Sequence, residues 1–248
     1  MTQANKNKQG MQTISSSTVK AIVGDFMNAY QNDANARFRS YDHAHSAFKN
    51  DRYNSTVTDD QLAKDLFVFL SSWGMLRNAF LLKKDYKFLI PVVKTLRDKK
   101  YDKLMDIEIF SLGQPGNLSR GGYVDLILEL KEKIKDYFIG KKYWEFSKTE
   151  KKLTEETIKR VTDTLVGKIL LCVFGCIPAY DDNVRKAMRN LKVCARISPR
   201  GLEDLLDWCN VLKTDILQLK TDCNADVNTG CHYSDMKVVD IFLWRYGF

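Results

Sequence analysis

The sequence predicts an all-α protein, and three observations carry that prediction. Apolar residues recur at helical spacing through most of the chain, no stretch sustains apolar–polar alternation between hairpin turns, and no strand–helix–strand rhythm is present. The apolar fraction of 44% in 248 residues is enough for a buried core. A compact multi-helix domain of roughly nine to eleven helices is expected, as one unit or as two helical subdomains over residues 18–112 and 123–248. There is no internal repeat.

Taken in order, residues 1–17 are rich in Gln, Asn, Ser and Thr and predict a disordered tail. From Thr18, the residues Val19, Ile22, Val23, Phe26, Met27 and Tyr30 mark a first amphipathic helix, and a shorter one is expected around Tyr41 to Lys49. Thr58-Asp59-Asp60 caps a helix through Leu62, Leu66, Phe69 and Leu70. Trp73-Gly74-Met75 interrupts it, and Leu76 to Leu82 is expected to resume it, with Arg77 and Arg245 paired to acids such as Asp65 or Asp240. Pro91 predicts a break just before it. A weaker helix is expected over 100–110, and the glycine-rich run 113–122 reads as a loop, a hinge or an arm.

Tyr123 to Ile139 is the next amphipathic helix, and Thr154-Glu155-Glu156 reads as the opening of another. Ser198-Pro199 caps a helix running through Leu202 to Ile216, and Ser234 to Tyr246 is the last. A polar loop with Asn224, Asp226, Asn228 and Gly230 separates these two.

The centre of the chain is an apolar helix, Leu165 to Phe174, a turn at Gly175-Cys176-Ile177-Pro178, and a second helix opened by Asp181 and Asp182. Between Asn183 and Gly201 no acid occurs, while Arg185, Lys186, Arg189, Lys192, Arg196 and Arg200 do. If that helix is continuous, Arg185, Arg189, Lys192 and Arg196 share one face, opposite Val184, Ala187, Met188, Leu191 and Ala195. With a net charge of +8 and a pI near 9.0, such a face suits phosphates, with DNA or RNA as partner; a solvated exterior is the alternative. Lys141, Lys142, Tyr143, Trp144 and Phe146 form a second candidate, able to contact a backbone and stack a base, unless the rings belong to the core.

The turn Pro178-Ala179-Tyr180-Asp181-Asp182-Asn183-Val184-Arg185 resembles a segment of the helix-hairpin-helix DNA glycosylases, over residues 162–192. The resemblance implies a glycosylase-like helical architecture, a hydrolase activity that excises a base, and for Asp181 the role of stabilising the sugar cation formed as the base leaves. The chain departs from that family in having Lys159-Arg160-Val161-Thr162 where a glycine-rich hairpin belongs, and Lys168 lies too close to the turn to align with a Schiff-base lysine. Taken whole, the chain also resembles a group of uncharacterised bacterial all-helical proteins with a Ser-Trp-Gly-Met segment, here Ser72 to Met75, and a Phe-Gly-x-x-Pro-Ala segment, here Phe174 to Ala179; that likeness implies no function. N-capping alone is the other role open to Asp181 and Asp182.

No motif calls for a cofactor: GxGxxG, GxxxxGK[ST], GxSxG and HExxH are all missing. His43 and His45 point about 200 degrees apart on a helix, and Cys223 with Cys231-His232 lacks paired spacing, so no metal is expected. Six cysteines without a secretory segment read as reduced thiols, Cys172 and Cys176 as small buried hydrophobes. No apolar run reaches the roughly 20 residues of a membrane span, which leaves a cytoplasmic nucleic-acid-binding protein, or a non-enzymatic module for a protein partner.

Overall fold

Helical periodicity becomes helix almost everywhere in the computed structural model, which describes residues 12, 14–54, 57–77, 79–147, 151–225 and 231–248. Most of the expected tail, residues 1–11 and 13, lies outside these, as do Asp226, Asn228 and Gly230 of the polar loop. α1 (Ser16–Asn32) starts before Thr18 because the Ser15 hydroxyl accepts from the Thr18 amide and caps it. α2 (Arg39–Asn54) turns Tyr41, Ala44, His45 and Phe48 into the core. α3 (Asp59–Ser72) begins at the Thr58 cap, with Asp59 and Asp60 where the helix dipole favours acids.

Among the described residues of 76–82, α-helix does not resume. Gly74 takes φ +76°, and the Met75 amide bonds back to Leu70 O at 2.9 Å, closing α3 with a left-handed turn. Two 3-10 turns follow, Phe80–Lys83 and Tyr86–Leu89, and then α4 (Ile90–Leu96) with Pro91 in its first turn. The helix expected over 100–110 is two 3-10 segments, Lys99–Leu104 and Ile109–Ser111, parted at Asp106 with φ +48°.

α5 (Arg120–Phe138) is capped by Ser119 and takes Gly121 and Gly122 of the glycine-rich run into its first turn. A hairpin comes next. β1 (Lys142–Ser147) pairs antiparallel with β2 (Lys152–Thr157), placing Lys142 opposite Thr157 and Phe146 opposite Leu153. The helix start expected at Thr154-Glu155-Glu156 is therefore strand. Tyr143, Trp144, Phe146 and Thr154 are all strand formers, and cross-strand pairing outweighs a short capping pattern.

α6 (Asp163–Phe174) is buried from Leu165 onward, and α7 (Asp182–Asn190), α8 (Pro199–Val211), α9 (Lys213–Ala225) and α10 (Asp235–Tyr246) complete the chain. The single helix expected from Leu202 to Ile216 is α8 and α9, broken at Leu212. One hydrophobic core runs from Val19 to Trp244; α1 packs on α10, and α2 and α3 pack on α6. The parts expected as 18–112 and 123–248 thus share that core. No helix among the described residues is long and apolar enough to cross a membrane.

Candidate functional site

The turn between α6 and α7 is held from every side. Gly175 ends α6 at φ +63°, and its carbonyl accepts from the Ser234 hydroxyl at 2.6 Å. The Tyr123 hydroxyl donates to Cys176 O at 2.7 Å, the Ala179 amide donates to Asp240 Oδ1 at 2.9 Å, and the Thr164 hydroxyl donates to Tyr180 O at 2.9 Å. Burial raises the Asp240 carboxyl above its ordinary value, against the pull of Lys237 Nζ at 3.4 Å from Oδ2. Gly167 lets α6 approach the turn: a Cβ there would stand 2.7 Å from Ala179 O. Tyr180 is wholly buried at φ +50°, and its hydroxyl has no partner among the described residues. Backbone strain of this kind persists only where the surroundings over-determine it.

Asp181 emerges from that clamp with its two oxygens divided. Oδ1 accepts from the Val184 amide at 3.1 Å and caps α7, while Oδ2 lies 3.8 Å from Lys168 Nζ. Lys168 is 5% exposed and donates to Trp73 O at 2.6 Å. Burial pushes its ammonium below the ordinary lysine value, with Asp181 and Asp240 opposing.

Both side chains line a chamber of about 360 Å³, together with Arg37, Arg77, Trp73 and Trp244. The Arg37 guanidinium sits 5.7 Å from the ring centres of Trp73 and of Trp244, a cation–π arrangement. The chamber shares Gly74, Met75, Arg77, Thr164 and Asp182 with a wider cleft of about 920 Å³. That cleft presents Arg77, Lys135, Lys159, Arg160, Arg185 and Arg196 against the acids Asp163 and Asp182. Among the described residues no carboxylate lies within ion-pair distance of Arg37, Arg77, Arg185 or Arg196. Arg97 and Arg120, elsewhere, are each held by two carboxylates.

The residues proposed from sequence are therefore split. Arg185 and Arg196 face the cleft, whereas Arg189, Lys192 and Arg200 line neither hollow. The continuous basic helix does not exist, because α7 stops at Asn190. The Lys192 amide bonds Arg189 O at 3.0 Å, the Val193 amide bonds Met188 O at 2.8 Å, and Lys192 itself takes φ +58°, which is a Schellman closure. Arg196 reaches the cleft from the connection to α8, and Arg200 lies 3.6 Å from Asp204. Lys141 lies over the Tyr137 ring at 5.3 Å, Lys142 is 2.6 Å from Glu155, and Trp144 is exposed rather than in the core.

Arg77 and Arg245 are exposed and, among the described residues, lack the acid partners expected for them, and Arg77 stands where chamber meets cleft. His45 is fully buried and donates from Nδ1 to Cys172 O at 2.9 Å, with Nε2 on Asp106. All six cysteines are free thiols. Arg37, Trp73, Lys168 and Trp244 are not among the site residues expected from sequence. A lone lysine inside an apolar run was the available signal for Lys168; the others meet only through packing. Comparison with known proteins gave no match: no family model, no curated protein and no solved structure aligns significantly with the chain.

Proposed function

We propose that the cleft holds the phosphates of a nucleic acid and that the chamber takes one nucleotide turned out of the strand, with Asp181 beside its sugar. The convergence on the cleft and its adjoining chamber of guanidinium groups that have no carboxylate partner among the described residues supports this reading, since such arginines are available to phosphate. Indole walls suit a flat base, and the resemblance over residues 162–192 favours DNA. In the reaction the bond from the sugar C1′ to the base nitrogen breaks. The base leaves with the bonding pair and is protonated, and water supplies hydroxide to C1′. Asp181 Oδ2 stabilises the cation between these steps, an electrostatic role that a preorganised site makes effective.

The test compares base release by wild type and Asp181→Asn on duplexes carrying damaged or modified bases. Asparagine still caps a helix, so the variant keeps α7 and isolates the charge. A loss of about 100-fold or more is expected. Equal release removes Asp181 from the mechanism. One observation favours a second reading, a non-enzymatic module for a protein partner: Oδ1 of Asp181 is already engaged by its own helix. On that reading the chain shows no salt-dependent affinity for DNA or RNA.

A further inference from the structure

The hairpin turns a strip of large apolar side chains to solvent. Trp144, Phe146 and Leu153 are 59%, 57% and 62% exposed. Alternation along β1 and the pairing of Phe146 with Leu153 put all three on one face. The opposite face does the packing: Tyr143 is half-buried in the cleft wall, and Glu145 lies 3.5 Å from Lys83. Large apolar groups gathered in water mark a binding surface.

What covers the strip follows from its position and charge. At the base of the hairpin, where Gly140 N donates to Ile158 O at 2.9 Å, Ile158, Lys159 and Thr157 line the cationic cleft, and Thr157, paired with Lys142, lies on the strip's own face, so the strip begins at the cleft's edge. On the strip itself Lys142 pairs with Glu155 at 2.6 Å, which leaves rings rather than charge to attract a ligand. Trp144 and Phe146, two residues apart on a strand, are separated by about 7 Å. That is roughly twice the 3.4 Å between bases stacked in one strand of a duplex. Paired bases cannot lie on both rings; bases of an extended, unpaired strand can.

We infer that the hairpin is a stacking platform for unpaired bases of the strand bound in the cleft, with Trp144 and Phe146 each taking one base. The platform rests on the nucleic-acid reading of the cleft, and the experiment separates the two. Labelled oligothymidylate, alone or paired with oligoadenylate, is titrated by anisotropy against the full chain, Trp144→Ala, Phe146→Ala, Trp144→Phe, and Arg77→Ala with Arg185→Ala.

Each alanine on the strip is expected to weaken single-strand binding by about five-fold or more, as loss of one stacked base does. Trp144→Phe retains most of the affinity, the duplex responds less, and the salt dependence is unchanged. If both alanine variants bind the single strand within about two-fold of wild type, the platform is overturned while the cleft stands. If wild type binds neither oligonucleotide, both readings fall together. A dimer in sedimentation velocity that Trp144→Ala converts to monomer, with oligonucleotide affinity unaltered, gives the face to a second copy of the chain and overturns the platform.

Discussion

A single backbone angle decides what becomes of the basic run in the middle of the chain. Lys192 occupies the left-handed region at φ +58°, which costs an L-residue about 1 kcal/mol and glycine almost nothing. Lys192→Gly is expected to stabilise the protein by about 1 kcal/mol, seen as a higher urea midpoint at unchanged slope. A lowered midpoint would show that the lysine side chain contributes more than its backbone costs.

Asp106 sets a second expectation at this scale. Burial works to raise its carboxyl, but hydrogen bonds from His45 and Lys49 prevail, and it titrates below its ordinary 3.8. Its stabilising effect is therefore complete above 3.8 and fades as pH falls through the folded-state value. Asp106→Asn should lower stability at neutral pH by about 2 kcal/mol and flatten the acid limb of a stability–pH curve. An acid limb as steep as that of wild type would assign the acid sensitivity to other carboxylates.

Among the elements, α6 and the turn after it do most to build the site. Helical periodicity made α6 legible, and the turn at Gly175 and the acids Asp181 and Asp182 marked its end and the opening of α7, whereas the Thr162 cap emerged only in the structure. The close passage of α6 against Pro178 and Ala179 was not legible, since it depends on which turn packs there. Gly167→Ala puts a methyl group 2.7 Å from Ala179 O and 3.0 Å from Pro178 O, both backbone atoms. Destabilisation of about 2 kcal/mol and weaker oligonucleotide binding are expected together, because the turn that presents Asp181 must move. Calorimetric melting combined with a binding titration checks this, and a variant that melts lower yet binds as wild type would uncouple the turn from the site. The hairpin was misread as a helix start for a related reason: its strands are short, and each residue's partner stands 5 to 15 positions away, beyond the three or four residues over which helix contacts are made.

Across the whole molecule the cationic residues sort by surroundings rather than by sequence neighbourhood. Arg77 and Arg185 are about 100 positions apart and line one cleft, while Arg189 and Lys192 stand beside Arg185 in sequence and line none. If that cleft carries the phosphates, Arg77→Ala and Arg185→Ala each reduce the slope of log affinity against log salt by about one. Arg189→Ala and Lys192→Ala should leave it nearly unchanged. The reverse pattern, with the slope carried by Arg189 and Lys192, would place the phosphates on the outside of α7.

By itself the sequence determined that the protein is helical, where most helices begin, and that Asp181 and Asp182 open one of them. These follow from spacing and capping chemistry within a few residues, which any short window contains. Only the tertiary structure decided that Lys168, Arg37, Trp73 and Trp244 meet around Asp181, that α7 ends before its basic run does, and that Trp144 faces water. Those outcomes depend on which surfaces the core brings together, and a charge acquires its neighbours only when distant segments pack against one another.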